Sequence, residues 1–150
     1  MIFSPDFYFM KIALKEAKCA FEKDEIPIGA VIVRNEKIIT KAHNLVEKLS
    51  NVTAHAEMQS IILASQIEGK YLQKCTIYVT LEPCFMCTGA LFWTKIKRVV
   101  FGAKDRKMRN EMHFLHPRTT ITQGIMEKEC KDILQKFFLS KRKNNLVTYT

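Results

Sequence analysis

A chain of 150 residues with 47% hydrophobic content is the size of one domain and can bury a proper core, which excludes a disordered segment. No window approaches the roughly 18 apolar residues of a membrane span, and Met1-Ile2-Phe3-Ser4-Pro5-Asp6 lacks the basic and apolar regions of a signal peptide. Five cysteines, an odd number with Cys19, Cys75 and Cys130 far apart, suit a reducing cytoplasm better than a disulfide framework.

Ser4 followed by Pro5 predicts a helix N-cap with proline in the first turn. Met10, Leu14, Ala17 and Phe21 then recur at helical spacing to about Lys23, with Met10 and Phe21 read as core. Residues 27–33 are strand-like, 34–37 form a polar turn, and 37–42 make the second strand of a hairpin. A polar loop runs from Asn44 to about Thr53. His55 and Glu57 open a helix carrying Met58, Ile61, Ile62 and Ser65. Residues 76–80 read as a third strand, 84–93 as a short helix and 98–101 as a fourth strand. The stretch from Gly102 to about Thr119 is irregular and basic, and 120–122 is a short fifth strand. A last helix places Met126, Cys130, Ile133, Leu134 and Phe137 on one face, where Cys130 reads as a small buried apolar residue. No repeat or Pro/Gly/Ser linker divides the chain. This order predicts a single α/β domain, residues 1–150, with a mixed sheet of about five strands and helices on both faces.

Two short segments carry the chemistry: His55-Ala56-Glu57 and Pro83-Cys84-Phe85-Met86-Cys87. A structural zinc site is normally closed by four protein ligands, whereas a catalytic one keeps three and leaves a position for water. His55, Cys84 and Cys87 make three. Cys84 and Cys87 can converge at the first turn of a helix, whose N-terminus lowers the cost of forming thiolates. Glu57 diverges from His55 on the helix but can reach the open position, where a carboxylate accepts a proton from water and passes it on. Alone, a Cys-x-x-Cys is often a zinc knuckle or a redox pair. The pattern of His-x-Glu followed by Pro-Cys-x-x-Cys is that of zinc deaminases acting on nucleobases. His43, His113 and His116 lack partners at ligand spacing and read as ordinary polar residues.

The chain as a whole resembles the bacterial tRNA-specific adenosine deaminases of the cytidine deaminase-like superfamily. The resemblance rests on Pro27-Ile28-Gly29-Ala30-Val31, Asn44, Thr53-Ala54-His55-Ala56-Glu57, the run from Tyr78 to Ala90, the run from Arg98 to Asp105, and Ile121-Thr122-Gln123-Gly124-Ile125. It implies a three-layer α-β-α cytidine deaminase-like fold and a cytoplasmic homodimer with one zinc ion per subunit. It also implies hydrolytic conversion of adenosine to inosine at the wobble position of a tRNA anticodon. On the same resemblance, Pro27, Ile28 and Gly29 line the base pocket, Asn44 contacts the flipped nucleotide, and Asp105 lies near the substrate backbone. The segment from Arg106 to Met112 departs from the family pattern. It replaces a Lys-Thr-Gly and small-residue loop with a shorter, basic one.

The net charge of +9 is unevenly spread: seven basic residues stand between Lys95 and Arg109 against one acid, Asp105. Clustered positive charge favours a phosphate-rich partner, so Lys104, Arg106, Lys107 and Arg109 are candidate RNA backbone contacts, and an anticodon stem-loop is the expected partner. A solvated basic surface is the bland alternative. The rival function is deamination of a free base or nucleotide of guanine or cytosine type, which would not need the basic stripe. A non-enzymatic zinc protein would have no use for Glu57. Phe92 and Trp93 offer an apolar surface for dimerisation.

Overall fold

A computed structural model describes residues 4–107 and 114–147. Helix α1 (Pro5–Glu22) starts with proline at its head and Asp6 in its first turn. Ser4 holds the extended N-cap position but makes no side-chain capping bond. Strands β1 (Gly29–Arg34) and β2 (Lys37–His43) form the expected hairpin. Asn35 and Glu36 both take positive φ at its turn, 49° and 58°, the conformation that matches the twist of paired strands. β1 begins at Gly29 rather than at Pro27. The loop expected between Asn44 and Thr53 contains a short helix α2 (Val46–Leu49), closed by Ser50 in the left-handed region. Then come α3 (Ala56–Glu68), β3 (Thr76–Leu81), α4 (Phe85–Thr94), β4 (Arg98–Ala103), β5 (Thr120–Gln123) and α5 (Glu127–Val147).

The five strands lie in the order β2-β1-β3-β4-β5. β1 is antiparallel to β2 and β3, while β3, β4 and β5 run parallel. α4 crosses over between β3 and β4, which are parallel neighbours and cannot be joined by a tight turn. The sheet is mixed, as the sequence predicts.

Strand alternation sends side chains to opposite faces. Ala30, Ile32, Ile77, Val79, Val99 and Phe101 face one way and pack with Ala56, Ala64 and Leu91 of α3 and α4. Val31, Val33, Tyr78 and Val100 face the other way, against Phe9, Met10, Ala13 and Leu14 of α1 and Cys130 of α5. Burying each large apolar side chain in these layers contributes about 1.5–3 kcal/mol. Cys130 is fully buried, as expected, and Phe21 is half-buried in an edge-to-face contact with Phe137 that joins α1 to α5. Gly29 lies so close to α1 that a Cβ there would collide with the Ala13 carbonyl and the Ala17 nitrogen. That close approach fixes where the chain entering β1 sits, beside the cleft described next. Among the described residues, no helix is long and apolar enough to cross a membrane.

Candidate functional site

Two chain segments, the starts of α3 and α4, converge at the C-terminal end of β3. His55 is the N-cap residue of α3, with φ −69° and ψ 157°. Cys84 is the N-cap of α4 rather than its first helical residue, also extended at φ −70° and ψ 174°, and Cys87 lies in that helix's first turn. N-cap and third-position side chains face each other across a helix start, which is why two cysteines at this spacing meet. His55 Nδ1 stands 3.5 Å from the sulfur of Cys84 and 3.5 Å from that of Cys87, and the three donor atoms lie within 4.8 Å of one another. Two helix N-termini thus aim their positive ends at one point.

The electrostatics are those of donors competing for protons. Cys84 is pulled down to about 4, first by its hydrogen bond with Cys87 and further by His55. Cys87 is pushed up, first by that same hydrogen bond and then by burial. The hydrogen bond with Cys84 raises His55. Glu57, in the first turn of α3, is 3% exposed, and burial pushes its carboxyl up. Its Oε1 is the one buried side-chain polar atom with no hydrogen-bond partner among the described residues.

This donor set fits zinc. Sulfur at about 2.3 Å and nitrogen at about 2.1 Å from a tetrahedral ion stand roughly 3.6 Å apart, close to the 3.5 Å separations here. One imidazole and two sulfurs leave a fourth position open, and the orphaned Glu57 oxygen is the neighbouring group able to exchange a proton there.

The cluster lies at the base of two adjoining hollows. One, of about 470 Å³, is lined by Glu57, His55, Cys84, Ile28, Lys104, Asp105, Arg106 and Lys107, with Phe138 of α5 at its edge. The other, of about 1140 Å³, includes His55, Ile28, Asn44, Glu25 and Val52, with Phe138 again. The structure therefore places Ile28, Asp105, Lys104, Arg106 and Lys107 in a hollow with His55, Glu57 and Cys84, and Asn44 in the adjoining one with His55. Pro27 and Gly29 flank Ile28 in the chain; Pro27 is buried and Gly29 is buried too. The Gly29 amide donates to Thr80 Oγ1 at 3.1 Å, tying the segment to β3. Asp105 Oδ1 accepts a bond from the Lys107 amide at 3.0 Å, which shapes the loop after β4. Arg109 and His113 lie outside the described residues. His43 bonds Glu16 and approaches Lys23, and His116 accepts from the Arg118 amide, both ordinary polar contacts. Glu25, Ile26 and Phe138 were not visible as site residues in the sequence. No periodic or ligand-spacing signal singles them out.

The family model for the cytidine and deoxycytidylate deaminase zinc-binding region matches residues 4–103. The tRNA-specific adenosine deaminase of Aquifex aeolicus (strain VF5) is 43% identical over 148 residues, covering 93% of this chain and 97% of that protein. A solved tRNA:A34 deaminase, from work on A-to-I editing at the wobble position of transfer RNA, is 36% identical with a TM-score of 0.79, covering 85% of this chain and 99% of that one. A solved guanine deaminase from Bacillus subtilis is 37% identical, with a TM-score of 0.62, but covers only 65% of this chain and 63% of its own.

Proposed function

The chain belongs to the cytidine and deoxycytidylate deaminase zinc-binding family and, within it, to the tRNA-specific adenosine deaminases, and from that premise we propose that it converts adenosine to inosine at the wobble position of a tRNA anticodon. The observation that carries the reading is the buried Glu57 carboxyl, whose Oε1 has no hydrogen-bond partner among the described residues, near the three donors His55, Cys84 and Cys87, in a hollow also lined by Lys104, Arg106 and Lys107.

His55, Cys84 and Cys87 would hold one zinc ion per subunit, which supplies Lewis acidity and lowers the pKa of water to roughly 7. Glu57 takes the proton from the attacking water and delivers it to the purine ring nitrogen beside the amino-bearing carbon. The oxygen of that water becomes a hydroxyl on the amino-bearing carbon. The same carboxylate then takes the hydroxyl proton and gives it to the amine, so that the C–N bond breaks, a carbonyl is left, one water is consumed and ammonia is released. Burial suits Glu57 to both roles, because a raised pKa lets one group donate and accept near neutral pH.

Ile28 and Val52 offer apolar walls for a base, and Asn44 a polar contact for the nucleotide. Asp105, Lys104, Arg106 and Lys107 line the hollow that holds Glu57, where they would meet the RNA backbone. A base must leave its stack to reach the cluster, and an anticodon loop offers unpaired bases at low cost. A homodimer is supported by an exposed apolar surface on α3 and α4, including Ile62, Ile67, Phe85 and Trp93. Five cysteines without disulfides support a cytoplasmic setting.

The test is ammonia release from a panel of free adenine, guanine, cytosine, their nucleosides and an anticodon stem-loop, with inosine mapped in total tRNA after incubation. Turnover is expected on the stem-loop alone. Turnover of guanine or cytosine with none on RNA overturns the reading.

A further inference from the structure

Glu25 is a carboxylate buried to 1% exposure with no part in the chemistry above. It hangs from the C-terminal turn of α1, where its own amide bonds the Ala20 carbonyl at 2.9 Å. A buried carboxylate is costly unless its lone pairs are satisfied. Here three N–H donors satisfy them, and all three belong to one loop. Oε2 accepts from Asn44 Nδ2 at 3.2 Å and from the Glu47 amide at 3.1 Å, and Oε1 accepts from the Lys48 amide at 2.7 Å. Glu47 and Lys48 are in the first turn of α2, whose own N-cap residue, Leu45, makes no capping bond. Glu25, which lines the same hollow as Asn44, Glu47 and Lys48, therefore caps that turn.

Asn44 Nδ2 donates to Glu25 Oε2, so the nitrogen end of the Asn44 amide is the end that faces Glu25. Asn44 is 4% exposed and lines the same hollow as His55, and its backbone amide is bonded to the Ile28 carbonyl at 3.1 Å. With the backbone N–H and the side-chain nitrogen both tied, Oδ1 is the end left for a bound nucleotide.

We propose that Glu25 is a positioning residue for substrate: it orients the Asn44 amide and fixes the α2 turn, so that an acceptor oxygen meets a hydrogen-bond donor of the nucleotide entering the cleft. This rests on the nucleotide reading of the site and adds a residue to it.

The test is a double-mutant cycle of Glu25→Gln and Asn44→Ala, assayed on the anticodon stem-loop with zinc content and Tm measured alongside. A glutamine in place of Glu25 has one acceptor where two are used. Glu25→Gln should lower kcat/KM by about 10- to 100-fold, chiefly through KM, with zinc content unchanged. In the Asn44→Ala background the same substitution should have a much smaller effect on kcat/KM, because the side chain it orients is gone and only the α2 turn is left to it. Equal effects in both backgrounds overturn the proposal while leaving the enzyme assignment intact. A wild-type protein inactive on the stem-loop overturns both. If Glu25→Gln does not fold, the wild-type chain decides by hydrogen exchange. Slow exchange at the Asn44 side-chain amide and at the Glu47 and Lys48 amides supports the proposal, and exchange at unprotected rates overturns it.

Discussion

His55 Nδ1 and Cys84 Sγ stand 3.5 Å apart although 29 positions separate them in the chain. Each is the N-cap of a different helix, and β3 carries the chain from one to the other. A cation bound there links α3 to α4, so its removal should cost both turnover and stability. Dialysis against a chelator is expected to abolish deamination, and added zinc to restore it. Tm should rise with zinc concentration, as for any ligand that binds only the folded chain. Elemental analysis should give one zinc per chain, lost in Cys84→Ser and His55→Ala. Full activity in a metal-free preparation would refute the assignment.

Glu57 gives the second prediction. Glu57→Gln keeps the size of the side chain and removes the proton-carrying group, while the three metal donors stay in place. Turnover should fall by about 10²- to 10⁴-fold with zinc content unchanged. Burial raises the Glu57 pKa, so the acidic limb of the kcat profile should lie above the ordinary glutamate range and vanish in the variant. A variant that still turns over at the wild-type rate removes Glu57 from the mechanism.

What the sequence made legible and what it hid divide along one line. Continuous apolar runs such as Ala30 to Val33 state a strand buried on both faces. The His-x-Glu and Pro-Cys-x-x-Cys segments state their chemistry through donor type and spacing. Helix α2 was hidden because Val46–Leu49 is too short to show a period, and because its cap, Glu25, comes from 22 residues earlier. Glu25 was hidden for the same reason: its role exists only through partners that the fold brings to it.

The bond between Asp6 and Arg98 supplies a stability prediction with a definite sign. The guanidinium donates two bonds to the carboxylate, at 2.8 and 2.7 Å, while Tyr78 donates a third at 2.8 Å. Both side chains are mostly buried, 18% and 28% exposed. Arg98 holds the Asp6 pKa below its usual value. A depressed carboxylate stabilises the fold above its unfolded pKa of 3.8 and loses that contribution as pH falls through the lower folded value. Asp6→Asn should therefore cost about 1–3 kcal/mol at pH 7, and the gap to wild type should close in acid. Denaturant melts at pH 7 and pH 3 check this; a gap that widens in acid contradicts it.

Trp93 is 76% exposed at the C-terminal end of α4, and aromatic side chains are enriched where protein surfaces meet a partner. Its ring touches Phe92 edge-to-face at 5.5 Å and leaves most of its surface open to a partner. Trp93→Asp should convert a dimer to a monomer in sedimentation equilibrium, with little change in far-UV dichroism. A wild-type chain that sediments as a monomer removes the dimer reading.

The basic run from Lys95 to Lys107 does not form one stripe, and this makes RNA binding testable by position. β4 occupies Arg98–Ala103, and a strand of that length separates its ends by roughly 20 Å. Lys104, Arg106 and Lys107 stay at the end that holds Glu57. Lys95 and Lys97 fall at the other end, in a separate hollow with Lys74, His116 and Arg118. Reversing the charge of Lys104, Arg106 and Lys107 should weaken anticodon stem-loop binding and flatten its salt dependence. For every phosphate that is no longer neutralised, the slope of log K against log salt should become shallower by about 0.7–0.9. The same reversal at Lys95 and Lys97 should change both quantities much less, because those charges lie about two Debye lengths from the cleft at physiological ionic strength. Fluorescence anisotropy across a salt series distinguishes the two groups. Equal losses from both would mean that the RNA spans the whole length of β4 rather than entering at the Glu57 end alone.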